Sequence, residues 1–325
     1  MLSCWRNLLI FFGTLGLAHS AHAHGIAGNR YFPGTLTFDD PAVADELLFD
    51  YATRQHPAED GGLVRDNAAS ITFMRLLTPD VAFGASTTGI VRSRSNFPQQ
   101  AGFDNVDLTF KAMLFRSDPH EILLSAAIRW EIGGTGNAAV GGDRPNILQP
   151  GIFYGKGFGD LPDSLAWFRP FAIAGAVTAE LPTRNSTTIV GIDPLTGRFG
   201  PFATKLPDLV HWGFALEYST LYLTDRFTGG PPKKEPLNQL VPLVEFSFDS
   251  PIGQKTAATA NPGLSYVAVA WQLAGEAIIP LNHEGGRGVG FRAQLLFFLD
   301  EVSPLFAKPL FSSQPVVSRV EKFPN

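Results

Sequence analysis

Residues 105–132 read NVDLTFKAMLFRSDPHEILLSAAIRWEI, and the period of this stretch decides the fold. Val106, Leu108, Phe110, Ala112 and Leu114 fall on one face of an extended chain, with Asn105, Asp107, Thr109 and Lys111 on the other. After the tight turn Ser117-Asp118-Pro119, Ile122, Leu124, Ala126, Ile128, Trp130 and Ile132 oppose Ser125, Arg129 and Glu131. A period of two marks a strand with one apolar and one polar face.

The same alternation recurs along the chain. Val210, Trp212, Phe214, Leu216 and Tyr218 oppose His211, Glu217 and Ser219. Trp271, Leu273, Ala277, Ile279 and Leu281 oppose Gln272 and Glu276, and Val289, Phe291, Ala293, Leu295, Phe297 and Leu299 oppose Arg292 and Gln294. Weaker members run near 43–53, 66–77, 80–94, 146–157, 166–181, 238–249 and 261–268. About twelve strands are expected, many of ten residues or more.

Their links alternate in length. Thr78-Pro79-Asp80 and Ser117-Asp118-Pro119 are short, while 54–65, 95–101, 134–145 and 182–207 are long. The alternation breaks at 224–237, which is long, and at His283–Arg287, which is short. Two architectures alternate in this way: a soluble sandwich of two sheets and a transmembrane barrel with short periplasmic turns and longer external loops. Sandwich strands average about 5–6 residues, and the polar faces here are thinly charged and rich in small residues. Both points favour an all-β, up-and-down antiparallel transmembrane β-barrel. Aromatic residues near strand ends (Trp130, Trp167, Phe168, Tyr218, Tyr222, Trp271) suit interfacial girdles.

The N-terminus agrees with export. Arg6, the apolar stretch Leu8–Ala18 and Ala21-His22-Ala23 form the three parts of a secretory signal peptide. The apolar core is shorter than the about 20 residues a spanning helix needs. Cleavage would remove Cys4, the one cysteine, so no disulfide or thiolate metal site is expected. A net charge of −5 without a basic patch gives no sign of nucleic-acid binding. The expected divisions are a signal peptide (1–23), an N-terminal periplasmic segment (24–42), a barrel (43–299) and a C-terminal periplasmic tail (300–325). Residues 25–43, with Phe32-Pro33-Gly34 and Asp39-Asp40-Pro41, could cap the periplasmic mouth or partly plug the lumen.

Several residues carry a resemblance: Thr78-Pro79-Asp80, Gly102-Phe103-Asp104, Ser117–Glu121, Pro262-Gly263-Leu264, Gly275-Glu276-Ala277 and Gly288-Val289-Gly290. Together they resemble the outer-membrane proteins grouped with the phenol-degradation meta-pathway, a family of candidate transporters. The resemblance implies a barrel of about twelve strands in the outer membrane of a Gram-negative cell. It also implies passage of small solutes, hydrophobic ones among them. Barrels of that kind commonly end on an aromatic residue read by the barrel-assembly machinery, whereas this chain continues past Leu299 to Asn325.

No catalytic motif survives inspection, and no cofactor is expected. Gly134–Ala139 matches a G-x-G-x-x-A spacing but lacks the strand and helix that a dinucleotide site needs. Asn185-Ser186-Thr187 fits a glycosylation sequon and marks a loop. If cleavage follows Ala23, the amine and imidazole of His24 could chelate copper(II), which makes it the one metal candidate. The inward set is the functional hypothesis: Asp107, Lys111, Arg129, Glu131, His211, Glu217, Glu245, Glu276, Arg292 and Gln294. Enclosed charges must be paired or hydrated, so they either brace the barrel or line a solute path. At about twelve strands the lumen should be narrow or partly occluded. The expected partners are outer-membrane lipid, the assembly machinery and a small solute. The alternative function is a non-transporting binding or scaffold β-protein of the envelope.

Overall fold

In the computed structural model, residues 25–57, 62–95, 97–142, 144–193, 195–223 and 239–311 are described. The leader, His24 and the link 224–237 lie outside the described residues. A small hairpin comes first, β1 (Ile26–Ala27) and β2 (Arg30–Tyr31). The wall begins with β3 (Glu46–Pro57), β4 (Leu63–Thr78) and β5 (Val81–Ser93), followed by the short β6 (Gln100–Phe103). It continues through β7 (Val106–Ser117), β8 (Ile122–Ile132), β9 (Ile147–Gly157) and β10 (Phe171–Pro182). A separate hairpin, β11 (Ser186–Ile192) and β12 (Phe199–Lys205), interrupts it. The last five strands are β13 (Leu209–Tyr218), β14 (Gln239–Pro251), β15 (Ala257–Val267), β16 (Trp271–Pro280) and β17 (Gly290–Phe298).

Twelve of these close into an antiparallel barrel. Closure comes from β17 against β3, with Phe291 opposite Thr53 and Phe298 opposite Glu46. No strand edge of the wall is then left open, the condition for crossing hydrocarbon with strands. Both the start of β3 and the end of β17 lie at the end bearing the tight turns at 79–80 and 118–121, periplasmic in such barrels.

The alternation sets the faces. Phe110, Ile128, Leu216, Leu273 and Phe291 point outward and are exposed, whereas Glu217, Glu245, Gln272 and Glu276 point inward and are buried. Trp212 stacks on Phe248 at 4.0 Å and Phe214 on Phe246 at 5.0 Å across β13 and β14. A bulge at Leu114 shifts the register between Met113 and Phe115 and turns both Leu114 and Phe115 outward.

Three details differ from the sequence reading. The strand expected over 166–181 starts only at Phe171, because Asp163–Phe168 coil into a 3-10 turn before Pro170. The long link 182–207 is built, as β11–β12, and the link 95–101 supplies part of β6. Tyr222 belongs to no girdle; its ring faces Arg30 inside the periplasmic end. The N-terminal segment, expected to cap the mouth or partly plug the lumen, is buried within the barrel from Gly25 onward, and the wall itself spans Glu46–Phe298. Past β17 the chain makes a helical turn at Leu299–Val302. It then reaches β4 from outside, where Leu310 and Phe311 donate to the carbonyls of Leu76 and Leu77.

Ile128, 51% exposed midway along β8, tests the outward assignment. Ile128→Arg should destabilise the barrel in lipid by about 2–4 kcal/mol, read by urea unfolding in vesicles. Leu195→Arg, on the external hairpin and 93% exposed, should change it by less than about 0.5 kcal/mol.

Candidate functional site: a stoppered lumen

Residues 25–45 thread the half of the lumen nearest the tight turns at 79–80 and 118–121 as a stopper. Its apolar side chains take part in each of the four buried hydrophobic clusters found among the described residues. Ile26 and Tyr31 pack with Val241, Val267, Leu296 and Phe298. Ala27 and Phe32 pack with Leu123, Ala172 and Ala174, and Phe38 with Ala127, Phe153, Ala176 and Ala215. The wall makes room by shedding side chains. A Cβ on Gly155 would come 2.9 Å from the Phe32 ring, and one on Gly213 would come 2.9 Å from the Phe38 ring.

Polar groups of the wall hold the stopper backbone. The Leu36 and Thr37 amides each donate to the Glu245 carboxylate at 2.8 Å. Gln272 brackets Gly34, accepting its N–H at 3.0 Å and donating to its carbonyl at 2.9 Å. Gln294 donates to the Thr35 carbonyl at 3.0 Å, and Arg292 donates to the Leu36 carbonyl. Thr37 Oγ1 accepts from Asn261 at 2.8 Å and donates to Glu276 at 3.2 Å. On the opposite wall, Lys111 Nζ donates to Asp39 at 2.8 Å and to the Asp40 carbonyl at 2.6 Å. Burial pushes the Asp40 carboxyl up to about 6, against the opposing pull of Lys111.

A second anchor sits at the turns 118–121 and 169–171. The Arg30 guanidinium, 1% exposed, donates to the carbonyls of Arg169, Pro170 and Phe171 at 2.6, 2.9 and 3.2 Å. Its Nε lies 3.3 Å from Glu121, and its plane lies 4.5 Å from the Tyr222 ring centre. Burial raises the Glu121 carboxyl above its ordinary range, opposed by Arg30. Gly157 and Gly159 leave space for that carboxylate, and the Gly159 amide donates to it at 3.0 Å.

The ten inward candidates thus separate by task. Lys111, Glu245, Glu276, Arg292 and Gln294 grip the stopper. Glu131 accepts from Asn105 at 2.8 Å and lies 3.3 Å from Arg144, so it ties an external loop. Arg129 donates to Gln149 at 2.7 Å, His211 pairs with Asp249, and Asp107 faces Ser86 at 3.4 Å. Glu217 is fully enclosed near Arg30, and its two oxygens have no hydrogen-bond partner among the described residues. Arg30, Glu121 and Asn261 were not singled out from sequence, and Gln272 was placed on the polar face without being counted among the candidates. A lone arginine in the otherwise uncharged run 25–38 was the one available signal.

Above the stopper the lumen is open. A cavity of about 270 Å³ is lined by Asp50, Lys111, Arg129, Gln149 and His211 as well as by stopper residues. It shares Thr37 and His211 with a second cavity of about 400 Å³, which reaches the external residues Lys255, His283 and Glu284. Together they descend from the external loops to residues 34–40. Among the described residues, no cluster of three or more His, Cys, Asp or Glu could hold a metal ion.

No family model and no curated protein sequence matches the chain. Among solved structures it is similar to the outer membrane channel from Pseudomonas putida F1, with a TM-score of 0.53 and 13% identity over 82% of this chain and 98% of that one. It is also similar to the KdgM porin (TM-score 0.41, 11% identity, 78% and 98% covered) and to the NanC porin (TM-score 0.40, 8%, 78% and 99%). The first likeness, at low identity, is one of fold: the chain has the architecture of an outer-membrane β-barrel.

The two kinds of buried carboxylate should respond oppositely to substitution. Glu245→Ala leaves two enclosed amides without an acceptor, so it should loosen the stopper by about 1–3 kcal/mol. Faster hydrogen exchange over residues 30–40 reads this out. Glu217→Met removes an enclosed carboxyl with no hydrogen-bond partner among the described residues, and it should raise the thermal unfolding midpoint.

Proposed function

We propose that the chain is an outer-membrane channel for small solutes, kept narrow by its own stopper. The observation that carries this reading is the stepped cavity that opens at the external loops and ends on residues held by non-covalent contacts alone. A protein that merely braced itself would have no need of an open upper lumen lined by Arg129, His211 and Asp50. The apolar outer face supports residence in the membrane, and a cleaved leader at 1–23 would provide export. Lipid and the barrel-assembly machinery are then its partners in biogenesis. The resemblance to the phenol-degradation meta-pathway family agrees with a solute-passing role, and a preference for hydrophobic solutes is part of the same proposal. Solutes would enter from outside, pass the Arg129–Gln149 level, and leave when residues 34–40 yield.

Locking the stopper tests this. Thr37 and Asn261 touch through a 2.8 Å hydrogen bond, so Thr37→Cys with Asn261→Cys places two thiols side by side. In planar bilayers the oxidised protein should be closed, and reductant should restore channel openings at least tenfold in frequency. Protein that is ion-tight in both states, yet folded by its heat-modifiable migration on gels, would instead be a non-transporting scaffold.

A further inference from the structure

The external hairpin β11–β12 leans over the loop between β5 and β6, and the two enclose a cavity of about 190 Å³ apart from the lumen. Val64, Phe97, Ile189, Ile192, Phe199 and Phe202 give it an apolar lining. Phe97 stacks on Phe199 at 5.0 Å and 24°, which joins the loop to the hairpin. The charged groups and the imidazole at its border are answered within the protein. Asp66 accepts both Arg92 Nε and Nη2 at 2.9 Å and lies 3.0 Å from His56 Nε2, while Arg94 rests 4.9 Å over the Phe97 ring. A charged ligand would therefore have to break existing pairs, whereas a neutral one would not.

The position is as informative as the lining. His56 borders both this cavity and the larger one that leads down the lumen. An apolar concavity kept at a water-facing mouth marks a place where something apolar docks. Its size limits the occupant, since apolar cavities of about 150 Å³ accept benzene. Gly191 helps hold the space open, because a Cβ there would meet Phe202 at 3.3 Å.

We propose that this cavity is an external capture site for a compact, neutral, mainly apolar solute of one ring or similar bulk. It hands the solute past His56 into the lumen, a consequence that rests on the channel reading, whereas binding itself does not.

Thiol protection tests the site in a chain lacking Cys4. Ile189→Cys is labelled with a small water-soluble thiol reagent in the presence of cyclohexanol or of glucose. Cyclohexanol at saturation should slow labelling at least tenfold, and glucose should not change it. Leu195→Cys, at the exposed end of the same hairpin, should label at one rate throughout. Adding Gly191→Val should abolish the protection while Leu195→Cys keeps its rate, which shows the hairpin intact. Equal slowing at both positions, protection by glucose, or no protection at all would overturn the site. Bilayer conductance of the same preparation separates the two proposals, because a conducting protein without protection loses only the capture site.

Discussion

Glu245 is wholly buried in the barrel wall, and its carboxylate is answered by two backbone amides of the stopper. An enclosed polar group must find hydrogen-bond partners or be hydrated, and among the described residues the hydrogen bonds to the Glu245 carboxylate come from the stopper. The stopper meets that need at several levels, at Glu245, Gln272, Arg292 and Lys111. Its backbone turns at Gly34–Thr37 so that amides face one wall while Asp39 and Asp40 face the other. The lumen and the stopper are therefore one polar network, and neither makes electrostatic sense without the other.

The same dependence appears in packing. A barrel in lipid turns its large apolar side chains outward, so its own wall supplies little core. Phe32 and Phe38 supply it instead, against a surface of glycine and alanine on β9, β10 and β13. Because those inner positions are small, removing the stopper would leave an open space between the walls. The external half follows the opposite logic. Arg129 and His211 pair with wall residues of their own, and that pairing leaves the space above the stopper free.

Much of this was legible in the sequence because a strand writes its faces into a period of two. The inward side of Lys111, Glu245, Glu276 and Arg292 followed directly from parity, as did the outward side of Ile128 and Leu273. What each inward charge meets did not follow, since Glu245 finds Leu36 across more than two hundred residues and no local pattern encodes that pairing. The glycines Gly155 and Gly213 were visible as small polar-face residues, but small residues suit a crowded lumen of any content. Trp167 and Phe168 read as strand because an aromatic pair suits one, whereas the following Arg169-Pro170 places them in a turn. The hairpin 186–205 was hidden in a link because its strands are only seven residues each and rich in turn formers.

The central claim is that residues 25–45 close a lumen that is otherwise passable. A chain lacking residues 25–42, confirmed as folded by heat-modifiable migration, can be reconstituted in vesicles beside the full chain. Its osmotic swelling in a small sugar should be at least tenfold faster than that of the full chain. Equal swelling rates from two folded proteins would contradict the account.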